Sequence, residues 1–116
     1  MSIERKQVGP RMSMAVVHNG TVYVAGQVAK AAVGKSVKEQ TAEILSIIDG
    51  LLAECGTSKK NILSANIWLT DMRTFAEMNE VWDGWVVAGH TPARATVEAK
   101  LAAPPYTVEI AVIAAV

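Results

Sequence analysis

The chain has 116 residues, room for one domain with a real core, and its 51% hydrophobic and 19% charged content excludes a disordered polymer. Eleven Lys and Arg balance eleven Asp and Glu, so the electrostatic footprint of a nucleic-acid binder is missing. A single cysteine, Cys55, excludes an internal disulfide and a cysteine-based zinc site.

The first residues, Met-Ser-Ile-Glu-Arg-Lys-Gln, hold no apolar signal core, and no later run reaches membrane-spanning length. A cytoplasmic location without membrane association is therefore expected. Residues 2–8 read as a short strand closed by Gly9-Pro10. Ser13–His18 and Thr21–Ala25 flank Asn19-Gly20, which predicts a β-hairpin. Asn19-Gly20-Thr21 also fits a glycosylation sequon, but the turn reading suits an unsecreted chain better. Gly26-Gln27 closes the second arm; a glycine there permits positive φ or close approach to the backbone.

Residues 28–35 are small and glycine-containing, hence a loop. Ser36 and Glu39 form a capping box for a first helix. Val37, Thr41, Ile44, Ile48, Leu51 and Cys55 recur at helical steps as one buried stripe, and Gly56 takes the C′ position. Cys55 completes the stripe and reads as a packed thiol. Residues 61–70 alternate: Leu63, Ala65, Ile67 and Leu69 point one way, Ser64, Asn66, Trp68 and Thr70 the other. A half-polar face bearing a tryptophan points to contact with another subunit. After a turn at Asp71, Thr74 and Glu77 read as a second capping box. Phe75, Met78, Trp82, Trp85 and Val86 form the stripe of a second helix ended by Gly89. Helical periodicity accounts for the tryptophans as core rather than as a base-stacking platform. Asn79 sits beside the stripe, placed to cap, to bridge to a loop or to line a pocket.

The strand after Pro92 sets Ala93, Ala95, Val97 and Ala99 on one face and Arg94, Thr96 and Glu98 on the other. Arg94 cannot lose its charge, so an enclosed face requires an anion, from the protein or from a ligand. In the last strand Val108, Ile110, Val112 and Ala114 share a face opposite Thr107, Glu109 and Ala111. The linker 100–105 is short enough to join neighbouring antiparallel strands, which would put Arg94 and Glu109 on one less apolar face. An ion pair and a functional site are then both open.

The element order predicts an α+β two-layer sandwich with both helices on one sheet face. The other face, expected to carry Trp68, Arg94, Thr96 and Glu109, is too mixed for solvent and implies an oligomer. No phosphate loop, dinucleotide fingerprint, nucleophile elbow or paired-histidine motif occurs, and His18 and His90 are far apart, so no metal site is expected. What remains is Arg94 as carboxylate anchor, Glu109 as acid/base or water holder, and backbone N–H donors near Gly26 and Thr96. Such a set suits a small anionic substrate that needs water and proton transfer.

At these residues the chain resembles the RidA (YjgF) family of reactive intermediate deaminases over nearly its whole length. The resemblance runs through Gly26-Gln27, Glu39-Gln40-Thr41, Leu69-Thr-Asp-Met72, Phe75-Ala76, Asn79-Glu80, Pro92-Ala-Arg-Ala-Thr-Val-Glu98 and Val108-Glu-Ile110. Residues 79–90 look most like the YoaB-type branch. The resemblance implies a single domain over 1–116 with a chorismate-mutase-like fold, and a homotrimer with clefts between subunits. It also implies cofactor-free hydrolysis of enamine and imine intermediates, such as 2-aminoacrylate, to 2-oxo acids and ammonia. Arg94 matches the arginine that grips the substrate carboxylate and Glu109 the glutamate that positions water. Gly26 matches the substrate-contacting turn, Thr96 the backbone N–H on the carboxylate, and Asn79 a typical asparagine. The chain departs from the family at Ala25, where serine is common, and at Arg11 and Met12, where a tyrosine is expected. Thr96 stands where many members have cysteine, and Ala111 where a second glutamate follows Val-Glu-Ile. The lost hydroxyls leave a non-catalytic binder of small 2-oxo acids as the alternative. An RNA-cleaving role is opposed by the zero net charge and the lack of a histidine pair.

Overall fold

A computed structural model describes residues 2–116. Six strands form one sheet: β1 (Glu4–Val8), β2 (Ser13–His18), β3 (Thr21–Gln27), β4 (Ile62–Leu69), β5 (Ala93–Glu98) and β6 (Val108–Ala115). Two helices, α1 (Val37–Glu54) and α2 (Phe75–Trp85), cover one face of it. The expected α+β two-layer sandwich is therefore the observed architecture.

Local signals account for most elements. Asn19 (φ 51°) and Gly20 (φ 73°) make the two-residue turn that joins β2 to β3. Ser36 accepts a hydrogen bond from the Glu39 N–H and opens α1. At the other end Thr57 N–H donates to Leu52 O and Gly56 N–H to Ala53 O, a Schellman closure with Gly56 at φ 79°. The stripe from Val37 to Cys55 is buried as the spacing requires. It packs on Val22, Val24, Ile67, Leu69 and the inward residues of β6.

Four local expectations differ. Thr74 makes no cap for α2; its hydroxyl donates to Asp71 O, and Glu77 instead accepts from the Lys38 N–H in the first turn of α1. A bulge between Ile62 and Ser64 swings Leu63 out to solvent, so Ile62 takes its place in the core. The second helix ends at Trp85 rather than at Gly89, which instead takes a left-handed turn at φ 80°. Phe75, placed in the buried stripe, is partly exposed while Met78 and Trp82 are buried.

The larger correction concerns strand order, which runs β1-β2-β3-β6-β4-β5. The linker 100–105 does not join neighbours: β4 lies between β5 and β6. The reason is the crossover through α2, which sets β5 parallel to β4 and on its outer side. Strand β6 then returns antiparallel between β3 and β4.

Candidate active site

Register decides where each site residue points. Parallel pairing sets Arg94 beside Ala65 and Thr96 beside Ile67, and both partners belong to the buried, helix-covered face. Antiparallel pairing sets Glu109 beside Trp68, on the opposite face. Arg94 and Thr96 thus face the helices, not the open face assigned to them by alternation. The misreading has a physical source: on the edge strand the apolar residues Ala93, Ala95 and Val97 are exposed, while Arg94 and Thr96 are half-buried.

Arg94 is held without being neutralised. Its Nη1 donates to Asn79 Oδ1 at 2.8 Å. Its Cζ lies 5.3 Å from the Trp82 ring centroid and 5.7 Å from that of Phe75. Phe75, Asn79 and Trp82 follow at steps of four and three, so α2 presents them as one wall. Cation–π attraction and one amide acceptor orient the guanidinium and leave most of its donor fork free. Among the described residues no carboxylate pairs with it, and the Arg94–Glu109 ion pair, one of the two readings left open by the sequence, is not formed.

The backbone beside Arg94 is open as well. Ala99 N–H donates to Leu69 O at 2.9 Å, so odd-numbered residues of this strand turn toward β4. The N–H groups of Arg94 and Thr96 therefore look outward along the free edge. The Thr96 hydroxyl is buried without a partner among the described residues.

Glu109 and Gly26 form the second cluster. The β3 strand bulges opposite β6, with Val24 beside Val112 but Gln27 beside Ile110. Gln27 is buried and its Nε2 donates to Ala25 O at 2.9 Å across the bulge. Glu109 folds its carboxylate over Gly26 so closely that a Cβ there would overlap Oε2. Close approach, not positive φ, is what this glycine serves. Among the described residues Glu109 has no hydrogen-bond or ion-pair partner, and burial pushes its carboxyl above the ordinary value of 4.5.

One residue went unnoticed by pattern alone. Gln40 is fully buried; its Nε2 donates to Lys35 O and Pro105 O, both at 3.0 Å, and its Oε1 accepts from Thr107 N–H at 3.0 Å. It pins the loop 28–35 and the start of β6. The available signal was a polar residue four before Ile44 on a buried stripe. Among the described residues no group of three or more His, Cys, Asp or Glu converges as a metal site.

The family model "Endoribonuclease L-PSP" matches residues 5–116. A RutC family protein of Haemophilus influenzae is 47% identical over 114 residues, covering 98% of each chain. RutC family protein YoaB of Escherichia coli is 46% identical over 116 residues, covering 100% of each. The crystal structure of NMB1025, a YjgF-family protein of Neisseria meningitidis, superposes with a TM-score of 0.96 at 49% identity, covering 99% of this chain and 95% of that one.

Proposed function

This chain belongs to the YjgF/RidA family, on its YoaB-like side, and from that premise we propose that it hydrolyses reactive enamine and imine intermediates to 2-oxo acids and ammonia. The observation that carries the reading is the Arg94 guanidinium, oriented by Asn79, Trp82 and Phe75 yet unpaired with any carboxylate among the described residues. A planar fork in that state suits bidentate capture of a substrate carboxylate. The outward N–H of Thr96 adds a donor beside it.

Glu109 supplies the proton chemistry. Its raised pKa makes it a stronger base than an ordinary carboxylate and a usable acid once protonated. Water attacks the imine carbon, a C–O bond forms, and the water proton passes to Glu109. That proton moves to nitrogen, giving the carbinolamine; Glu109 then takes the hydroxyl proton and passes it to the same nitrogen, so the carbonyl forms as the C–N bond breaks and ammonia leaves. An enamine substrate first takes a proton at carbon to become the imine.

Arg94 and Glu109 lie on opposite faces of one sheet, so a single chain does not bring them onto one small molecule. The catalytic centre in this reading is assembled between subunits of a homotrimer, with Arg94 from one and Glu109 from its neighbour. The open sheet face supports such packing, since Tyr23 and Val97 are 48% and 49% exposed there, near half-buried Trp68 and Ile113. A second reading, a 2-oxo acid binder without turnover, draws on Ala25, which brings no hydroxyl to the bulge beside Gly26.

The test is a coupled assay in which an amino-acid oxidase generates imine and its loss is followed with wild type and Arg94→Ala. Faster loss that needs Arg94 supports the deaminase. Tight 2-oxo acid binding with no acceleration for any imine supports the binder.

A further inference from the structure

Strand β5 carries a second charged side chain on the same face as Arg94. Glu98 follows it by four residues, about 13 Å along the strand, and its Oε1 accepts from the Met72 N–H at 2.8 Å. Met72 opens a short 3₁₀ turn, Met72–Thr74, that runs without a break into α2 at Phe75. Arg73 does not compete for that carboxylate, because its Nε and Nη2 donate to Asp71 at 3.1 and 2.7 Å. Among the described residues two hydrogen bonds join β5 to the segment Met72–Trp85: Met72 N–H to Glu98 and Arg94 to Asn79. Core burial grips the start of this segment weakly, since Met72 and Phe75 are 36% and 38% exposed, while Met78 and Trp82 are buried further along. Thr74 adds no side-chain cap.

Resting on the reading of Arg94 as carboxylate anchor, we propose that Glu98 is the positioning residue for that anchor. Its bond to the Met72 N–H fixes the turn that starts α2 against β5. Phe75 and Asn79, one helical turn apart, are thereby set where the first stacks on the Arg94 guanidinium and the second accepts from its Nη1. Glu98 acts only through α2, since its own negative charge repels a substrate carboxylate and has the wrong sign to hold one. Without this tie the first turn of α2 loosens and the guanidinium samples more rotamers. Part of the ordering cost then falls on substrate binding. The loss is the same in ground state and transition state, so KM rises with kcat unchanged.

The experiment compares wild type with Glu98→Ala, Glu98→Gln and Met72→Pro. Proline deletes the donor itself, and a 3₁₀ position after the extended Asp71 accepts its fixed φ. Three quantities are read: the mobility of the Arg94 Nε–Hε group by NMR relaxation, its signal identified by loss in Arg94→Lys; kcat and KM for 2-aminoacrylate; and pyruvate binding by calorimetry. Glu98→Ala and Met72→Pro should each mobilise Arg94 and raise KM and the pyruvate Kd about three- to tenfold, the scale of one hydrogen bond to a charged group. In both, kcat should stay at the wild-type value. Glu98→Gln keeps an acceptor oxygen and should behave as wild type. Combining Glu98→Ala with Met72→Pro should add nothing, because each removes the same bond. An Arg94 signal unmoved in both disrupted variants overturns the proposal whatever the rates do. So does a KM unmoved by a mobilised Arg94 in an active enzyme, or a glutamine variant as impaired as the alanine one. Tighter binding in both Glu98 variants would make charge repulsion the role of Glu98 and overturn it too. Were wild type to hydrolyse no imine and bind no pyruvate, with Arg94 freed by Glu98→Ala and not by Glu98→Gln, the positioning would stand and the deaminase reading alone would fall.

Discussion

Arg94 and Glu109 project from opposite faces of the same sheet, with β4 between their strands. A site that uses both must therefore take them from different subunits. In the proposed homotrimer, Arg94→Ala and Glu109→Gln should each lose on the order of 10²-fold or more in kcat/KM, as expected for a lost charged anchor or base. Mixed and reassembled, the two inactive chains should regain activity, up to roughly a quarter of wild type by random pairing of neighbours in a ring. Activity measured after denaturing and refolding the mixture checks this. No recovery, with trimers confirmed by sedimentation, would break the shared-site reading.

Glu109 gives a pH signature with a definite sign. Burial raises its folded pKa above 4.5, so the folded chain holds this proton at a pH where the unfolded chain has released it. Its stabilising contribution is complete below the unfolded pKa and is lost as pH rises through the folded one. Glu109→Gln should then melt higher than wild type at pH 7 and at the same temperature near pH 3. The same titration sets the acidic limb of the rate profile, which should be shifted upward from an ordinary glutamate's in wild type and vanish in the variant. Thermal melts and rates across pH check both.

How much of this was legible from residues alone depended on how local the cause was. The Asn19-Gly20 turn and the whole of α1, down to Cys55 and Gly56, follow from neighbours in sequence and appear as read. The order of β4, β5 and β6 does not, because the crossover through α2 is a tertiary choice. Alternation in β5 separated Arg94 from Ala95 correctly, but alanine carries too little hydrophobic contrast to say which side is the core. Asn79, Trp82 and Arg94 were each visible; that they meet was not, since it required knowing that β5 turns Arg94 toward α2.

Gly26 separates function from stability. Its backbone is not left-handed, so an alanine there is not strained by φ. The added methyl would collide with the end of the Glu109 side chain, a group free to swing away because no partner among the described residues holds it. Gly26→Ala should therefore cost under about 1 kcal/mol of stability, as surface-type changes do. It should lower kcat roughly tenfold or more through the displaced carboxylate. A urea midpoint near wild type with a reduced kcat is the expected pair of results. A full rate would show that Glu109 does not need its place over Gly26.

Gln40 separates them the other way. Replacing it with leucine keeps most of its volume but leaves Lys35 O, Pro105 O and Thr107 N–H without their side-chain partner. Pro105 O retains the longer Gly34 N–H bond at 3.4 Å, while the Thr107 amide loses the bond it makes to the first helix. Losing partners of buried polar groups costs about 1–3 kcal/mol each before relaxation. Water reaching the loop edge reduces that, so Gln40→Leu should cost roughly 2–4 kcal/mol in urea unfolding with an unchanged slope. Hydrogen exchange should speed first at Thr107 and along the loop 28–35, ahead of β3. An unchanged midpoint would mean that the loops are held by their own backbone contacts and that the buried amide is dispensable.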